Sequence, residues 1–185
     1  MKIPFVSPEE EVAEILLGGI VDRRRQIVWA RFRSEDFRQQ NPVSPFSQRR
    51  RPDVAVTNMW TPNQFAPPQC MVLQGIMILM NRDTTDAAVA SFERNVTGHL
   101  ELGGKVRDEI PMSAITAHAD LDGLVNRENN EPTEFVTAKL YKMFGGGVYI
   151  APLQQFDFLL KALPTWEIPD FEGYVLFDGL MDFGV

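Results

Sequence analysis

Cysteine is nearly missing from this sequence. The 185 residues include one, Cys70, so no disulfide can form within the chain, and zinc sites built on paired cysteines are excluded. Histidine is almost as scarce: His99 and His118 are the only two, too few for a histidine-rich metal centre. Long hydrophobic runs are lacking too. The longest strongly apolar stretch, Met71 to Met80, contains Gln74 and Gly75 and falls well short of the about 20 residues a membrane-spanning helix needs. The opening MKIPFVSPEEE reaches acidic residues before any apolar run, so no signal peptide is expected. Internal repeats are absent.

The motifs of catalysis are equally thin. Ser113 precedes His118 and Asp120, but no G-x-S-x-G elbow surrounds a serine, and a nucleophile needs its base beside it. Cys70 borders an apolar stretch and reads as a small buried hydrophobe. Asp120-Leu121-Asp122-Gly123 begins like a calcium loop without the later ligands such a loop requires, and reads as a solvated loop. Gly103-Gly104 and Gly145-Gly146-Gly147 lack the lysine and hydroxyl of a phosphate loop and the spacing of a dinucleotide fingerprint, so both read as turns. Asp108-Glu109 and Asp120 with Asp122 are carboxylate pairs without a pocket visible in the sequence. Asn95-Val96-Thr97 is a glycosylation triplet without a secretory signal. The sequence therefore predicts no catalytic residue, no cofactor and no metal.

What is present is an ordinary core and an uneven charge. Hydrophobic residues make up 44% and charged residues 23%, enough for one globular domain or a domain with an arm. The net charge is −7, yet residues 1–51 carry ten Lys/Arg against seven Asp/Glu, leaving −10 on the remainder. Nine of those ten cations are arginines. Arg23, Arg24 and Arg25 form one cluster and Arg49, Arg50 and Arg51 another. They are the candidate contacts to a neighbouring subunit or to nucleic acid.

Ser7-Pro8-Glu9-Glu10 is a helix start with a capping serine, proline at the first position and glutamate completing the capping box; Val12, Ile15 and Leu16 follow at helical spacing. A short helix over 8–17 is predicted. The stretch 26–32, QIVWARF, fits helix or strand. From 33 to 69, repeated prolines predict loop, with 53–59 as a short strand at most.

From residue 70 the elements are short and frequent. The run 70–80 reads as a buried strand. Thr84-Thr85-Asp86 can cap a short helix over 87–94. Strands are expected at 97–102 and 105–110 around Gly103-Gly104, then at 148–150, 156–162 and 174–180, while 113–124 fits a short helix or a turn. The predicted core includes Val72, Ile76, Ile78, Leu100, Leu102, Ile150, Phe156, Phe158, Val175 and Phe177. Many short strands with turns every 8–12 residues argue for a sandwich or barrel.

Three stretches resemble a known family. TGHLELGGKVRDEIP at 97–111, FGGGVYIAPLQQFDFLLKAL at 144–163 and GYVLFDGLMDFGV at 173–185 are similar, in strand order and turn placement, to single jelly-roll capsid proteins of icosahedral viruses and tailless phages. The resemblance spans roughly residues 70–185 and contains no invariant chemical motif. It implies a mainly β protein: an antiparallel jelly-roll β-sandwich of about eight strands over 53–185, with a short inserted helix, preceded by a basic, partly helical arm over 1–52. It implies a structural capsid protein that assembles with copies of itself or other capsid subunits, made in the host cytoplasm and residing in the virion. It implies no enzymatic activity and no small-molecule substrate. The arm is expected to dock outside its own sandwich, on an acidic neighbouring subunit, with the genome or an internal membrane as other partners. Two different readings stand beside it: another phage structural module such as a fibre base or tail adaptor, and a cupin-like small enzyme or ligand-binding sandwich. The cupin reading lacks its H-x-H and downstream glutamate.

Overall fold

A computed structural model describes residues 23–48, 56–81, 83–118 and 141–183. Nine strands run through them: β1 (Arg23–Arg33), β2 (Cys70–Met80), β3 (Val96–Leu102), β4 (Lys105–Pro111), β5 (Thr116–His118), β6 (Tyr141–Lys142), β7 (Val148–Ile150), β8 (Phe156–Ala162) and β9 (Glu172–Asp182). Two short helices accompany them, α1 (Ser34–Gln39) and α2 (Asp86–Asn95). The protein is mainly β. The larger sheet has the order β1-β9-β2, with β7, β6 and β5 sharing the far edge of β2. The smaller has the order β4-β3-β8. All pairings are antiparallel except the three-residue contact of β2 with β5.

Alternation explains the two inner faces. On β1, Val28, Ala30 and Phe32 are buried; on β9, Val175, Phe177 and Met181; on β3 and β8, Leu100, Phe156, Phe158 and Leu160. These residues share one core, with the Phe158 and Phe177 rings 6.1 Å apart across the two sheets. That is the arrangement of a β-sandwich. Strand β2 carries a bulge. Its pairing with β9 shifts between Leu73 and Gly75, so Gln74 is an extra residue. The inward set therefore changes from Met71 and Leu73 to Ile76, Ile78 and Met80. Gly179 lies opposite Leu73, where a Cβ would run into the Val72 carbonyl and the Met71 methyl.

The β3–β4 hairpin turns on Gly103 and Gly104, both at positive φ, as the two-residue loop requires. Helix α2 lies where the inserted helix is expected. Thr85 caps it, its hydroxyl accepting from the Ala88 amide at 3.3 Å.

Several expectations need correction. Residues 23–33, read in the sequence as part of an arm, belong to the sandwich. The ambiguous stretch 26–32 is strand, and β1 pairs with β9 over eleven residues, so the fold begins at or before Arg23 and not at 53. The 33–69 loop contains α1, held by Phe37 in a cluster with Phe32, Phe92, Trp166 and Phe171. Val72 is buried apart from the main core, against Cys70 and Leu180, because even-numbered residues face inward only after the bulge; before it, Met71 and Leu73 do. Leu102 is only half-buried, packed at the margin of the core. The other eight predicted core residues are buried. The 113–124 stretch opens with a single 3-10 turn, Met112–Ala114, and then β5. The helix expected over 8–17 lies outside the described residues, as do 53–55 and 119–124.

Both sheets have one edge stitched by loop. Segment 56–58 lies along β1: Arg31 N donates to Val56 O at 2.7 Å, and the Asn58 side chain accepts from Trp29 N at 2.8 Å while donating to Ile27 O at 2.8 Å. Segment 41–43 lies along β8. Val43 and Leu160 exchange backbone hydrogen bonds of 2.9 and 2.8 Å, and the Asn41 amide bonds both polar groups of the Ala162 backbone. The β4 edge is charged instead, with Lys105, Arg107 and Glu109 exposed, which discourages strand addition.

Candidate interaction surface

An antiparallel sheet with one wet face alternates apolar and polar residues; a sheet covered on both faces does not. The large sheet belongs to the second kind by composition. Opposite the core-facing residues, β1 presents Ile27 and Trp29, β9 presents Tyr174 and Leu176, and β2 presents Met77 and Leu79. The register aligns them in rows: Trp29–Leu176–Met77, and next to it Arg31–Tyr174–Leu79. Trp29 and Tyr174 meet edge to face at 5.8 Å. Ile27 is 47% exposed, and the others are half-buried. A groove of about 580 Å³ opens here, lined by Arg25, Ile27, Met77, Leu176 and Asp178.

Charges frame this apolar strip and are paired where they stand. Arg25 makes a two-pronged ion pair with Asp178, at 3.0 and 2.6 Å. At the other end Arg33 and Arg31 reach Glu172 at 3.2 and 3.8 Å. The Tyr174 hydroxyl donates to Glu172 at 3.3 Å; burial, then the nearby Glu172 charge, holds its pKa above the usual tyrosine range.

Of the six arginines singled out in the sequence, Arg23, Arg24 and Arg25 begin β1, and Arg49, Arg50 and Arg51 lie outside the described residues. Within the chain, Arg25 pairs with Asp178 and Arg31 and Arg33 with Glu172, where β1 lies beside β9, and Arg38 of α1 pairs with Asp170. The apolar strip itself escaped sequence reading. Its signal was the loss of alternation in IVWA at 27–30 and YVLF at 174–177, where both parities are apolar.

A second polar site lies at the opposite sheet. Asp157 on β8 accepts from the Ser44 hydroxyl at 2.5 Å, from Asn63 Nδ2 at 3.2 Å and from its neighbour's amide, Phe158 N, at 2.8 Å. Glu101 is directly across on β3. Burial raises the Asp157 pKa more than these donors lower it. The cluster ties segments 41–48 and 56–69 to β8, which is a structural role. Asn63 Oδ1 is buried without a hydrogen-bond partner.

Among the described residues the candidate catalytic side chains stand apart. Ser113 sits in an exposed turn, Cys70 is buried beside Tyr149 with its pKa raised by burial, and His99 is 4.0 Å from Glu109 on the neighbouring strand. Among the described residues no three His, Cys, Asp or Glu side chains converge as metal ligands, and no helix is long and apolar enough to cross a membrane. Comparison with protein-family models finds no match to this chain, and comparison with curated protein sequences finds none.

Proposed function

We propose that this chain is a shell-forming structural subunit of jelly-roll type, a capsid protein that assembles with copies of itself or with other capsid subunits. The observation that carries the reading is the order of pairing. Counting 41–43 as a strand, and setting aside the three- and two-residue strands β5 and β6 that also border β2, the chain runs β1, 41–43, β2, β3, β4, β7, β8, β9. The first pairs with the last, the second with the seventh, the third with the sixth and the fourth with the fifth. The joins β9–β2 and β8–β3 then complete two sheets. Rolling up one long antiparallel hairpin gives this order, and rolling is the jelly-roll path. The order supports the resemblance read from residues 97–111, 144–163 and 173–185.

Under this reading the role is structural, without a reaction of its own, and the subunit is made in a host cytoplasm and resides in the virion. Rigidity suits a shell subunit, and with both stitched edges and the charged β4 edge closed to pairing, contact falls to faces more than to edges. Residues 1–22 and Arg49–Arg51 remain as arm contacts to neighbouring subunits, genome or membrane. Sedimentation and electron microscopy of the purified full chain test the proposal. Closed particles or discrete rings far above 21.0 kDa are expected. A monomer at every concentration and ionic strength overturns it.

A further inference from the structure

We propose that the outer face of the large sheet is where a second copy of this chain docks, sheet against sheet. The inference rests on the shell reading and names the surface that does the assembling.

Three observations carry it. The first is the face itself. The rows through Trp29, Leu176 and Met77 and through Tyr174 and Leu79 are apolar in an antiparallel sheet whose other face already fills the core, so this face is built to be covered. The second is charge. The chain carries −7, which disfavours contact between copies over most of its surface. On this face Arg25 is answered by Asp178, and Arg31 and Arg33 by Glu172. Two such faces meet without like charges opposed in excess, whereas a polyanion would find its arginines already engaged. The third is size. The Cys70–Val72–Leu180 end of this face is already buried, so the open part is about seven residues of each of three strands, which at about 3.3 Å per residue and about 4.8 Å apart cover roughly 330 Å² in plan. That matches a contact at the small end of specific interfaces, held by its apolar rows. The groove between Ile27, Met77 and Leu176 receives an apolar side chain from the facing copy.

The test uses the full chain with Leu176→Glu and, separately, Met77→Ser, each a change on a half-exposed position that leaves the inner face intact. Val106→Glu, on the exposed β4 edge of the other sheet, is the control. Sedimentation across a concentration series is read beside circular dichroism. The proposal expects at least a 100-fold weaker self-association for Leu176→Glu and a smaller loss for Met77→Ser, with native β content in both and no change for Val106→Glu. Large assemblies that persist in both face variants overturn this surface while leaving the shell reading intact. Discrete dimers of the parent chain that both variants dissociate, with no larger particle, uphold the surface and overturn the shell. A parent chain that stays monomeric until residues 1–22 are deleted overturns it in a third way, since the chain's own N-terminal segment then covers the face.

Discussion

Asp157 is held away from water on β8 while three donors converge on its carboxylate, and desolvation still wins. A carboxyl with a raised folded pKa contributes stability that is fully present below its ordinary value of 3.8 and is lost as pH climbs through the folded value. Asp157→Asn removes that titration. Urea unfolding over a pH series should therefore show the variant gaining on the parent chain as pH rises above 3.8, and a constant difference would refute the desolvated carboxylate. Gly179 poses a steric constraint instead. Gly179→Ala pushes a methyl group into the Val72 carbonyl, backbone that cannot swing aside as a side chain tip can, and a loss of at least about 2 kcal/mol in thermal unfolding is expected. Arg25 makes the contrasting case. Its side chain is 67% exposed, so Arg25→Ala should cost under about 1 kcal/mol despite the 2.6 Å ion pair.

Helix α2 and strands β3, β4, β7, β8 and most of β9 were legible in the sequence, because each is bounded by local signals: Thr85 as cap, Gly103-Gly104 as turn, alternation in FDFLLKA at 156–162. The β2 strand was legible as a run, but its bulge was not. Nothing near Gln74 announces that Gly179, over a hundred residues later, will press on Val72. Strand β1 stayed ambiguous for a related reason: QIVWARF is apolar at both helical and strand periods, and only pairing with β9 decides. The outer-face strip went unseen because its rows are assembled from three strands distant in sequence. Helix α1 was lost among prolines, since a six-residue helix has little intrinsic stability and depends on packing. That packing is the five-ring cluster of Phe32, Phe37, Phe92, Trp166 and Phe171, which joins β1, both helices and the approach to β9. Phe92, fully buried at its centre, should cost about 3–5 kcal/mol on replacement by alanine, whereas Thr85→Ala, which only removes the cap of α2, should cost about 1 kcal/mol. Chemical denaturation of the two variants side by side checks the ranking.

Because β1 is the outermost long strand of the large sheet and carries Val28, Ala30 and Phe32 into the core, the whole molecule depends on a segment whose composition reads as an arm. Deletion of residues 1–22 should leave a cooperatively folded protein, and deletion of 1–52 should not, as limited proteolysis and circular dichroism would reveal. The same pairing sets a schedule for synthesis. Arg25 and Asp178 are 153 residues apart, so at about 5–20 residues per second β1 waits about 8–30 s for the strand that completes it. Throughout that wait its inner face has no sheet to close against, and contacts of such long range are slow to form even in a finished chain. On a message carrying several ribosomes, the first available match for a waiting β1 is the β9 of the copy ahead, so the closing of the β1–β9 pair is the step most exposed to exchange between copies.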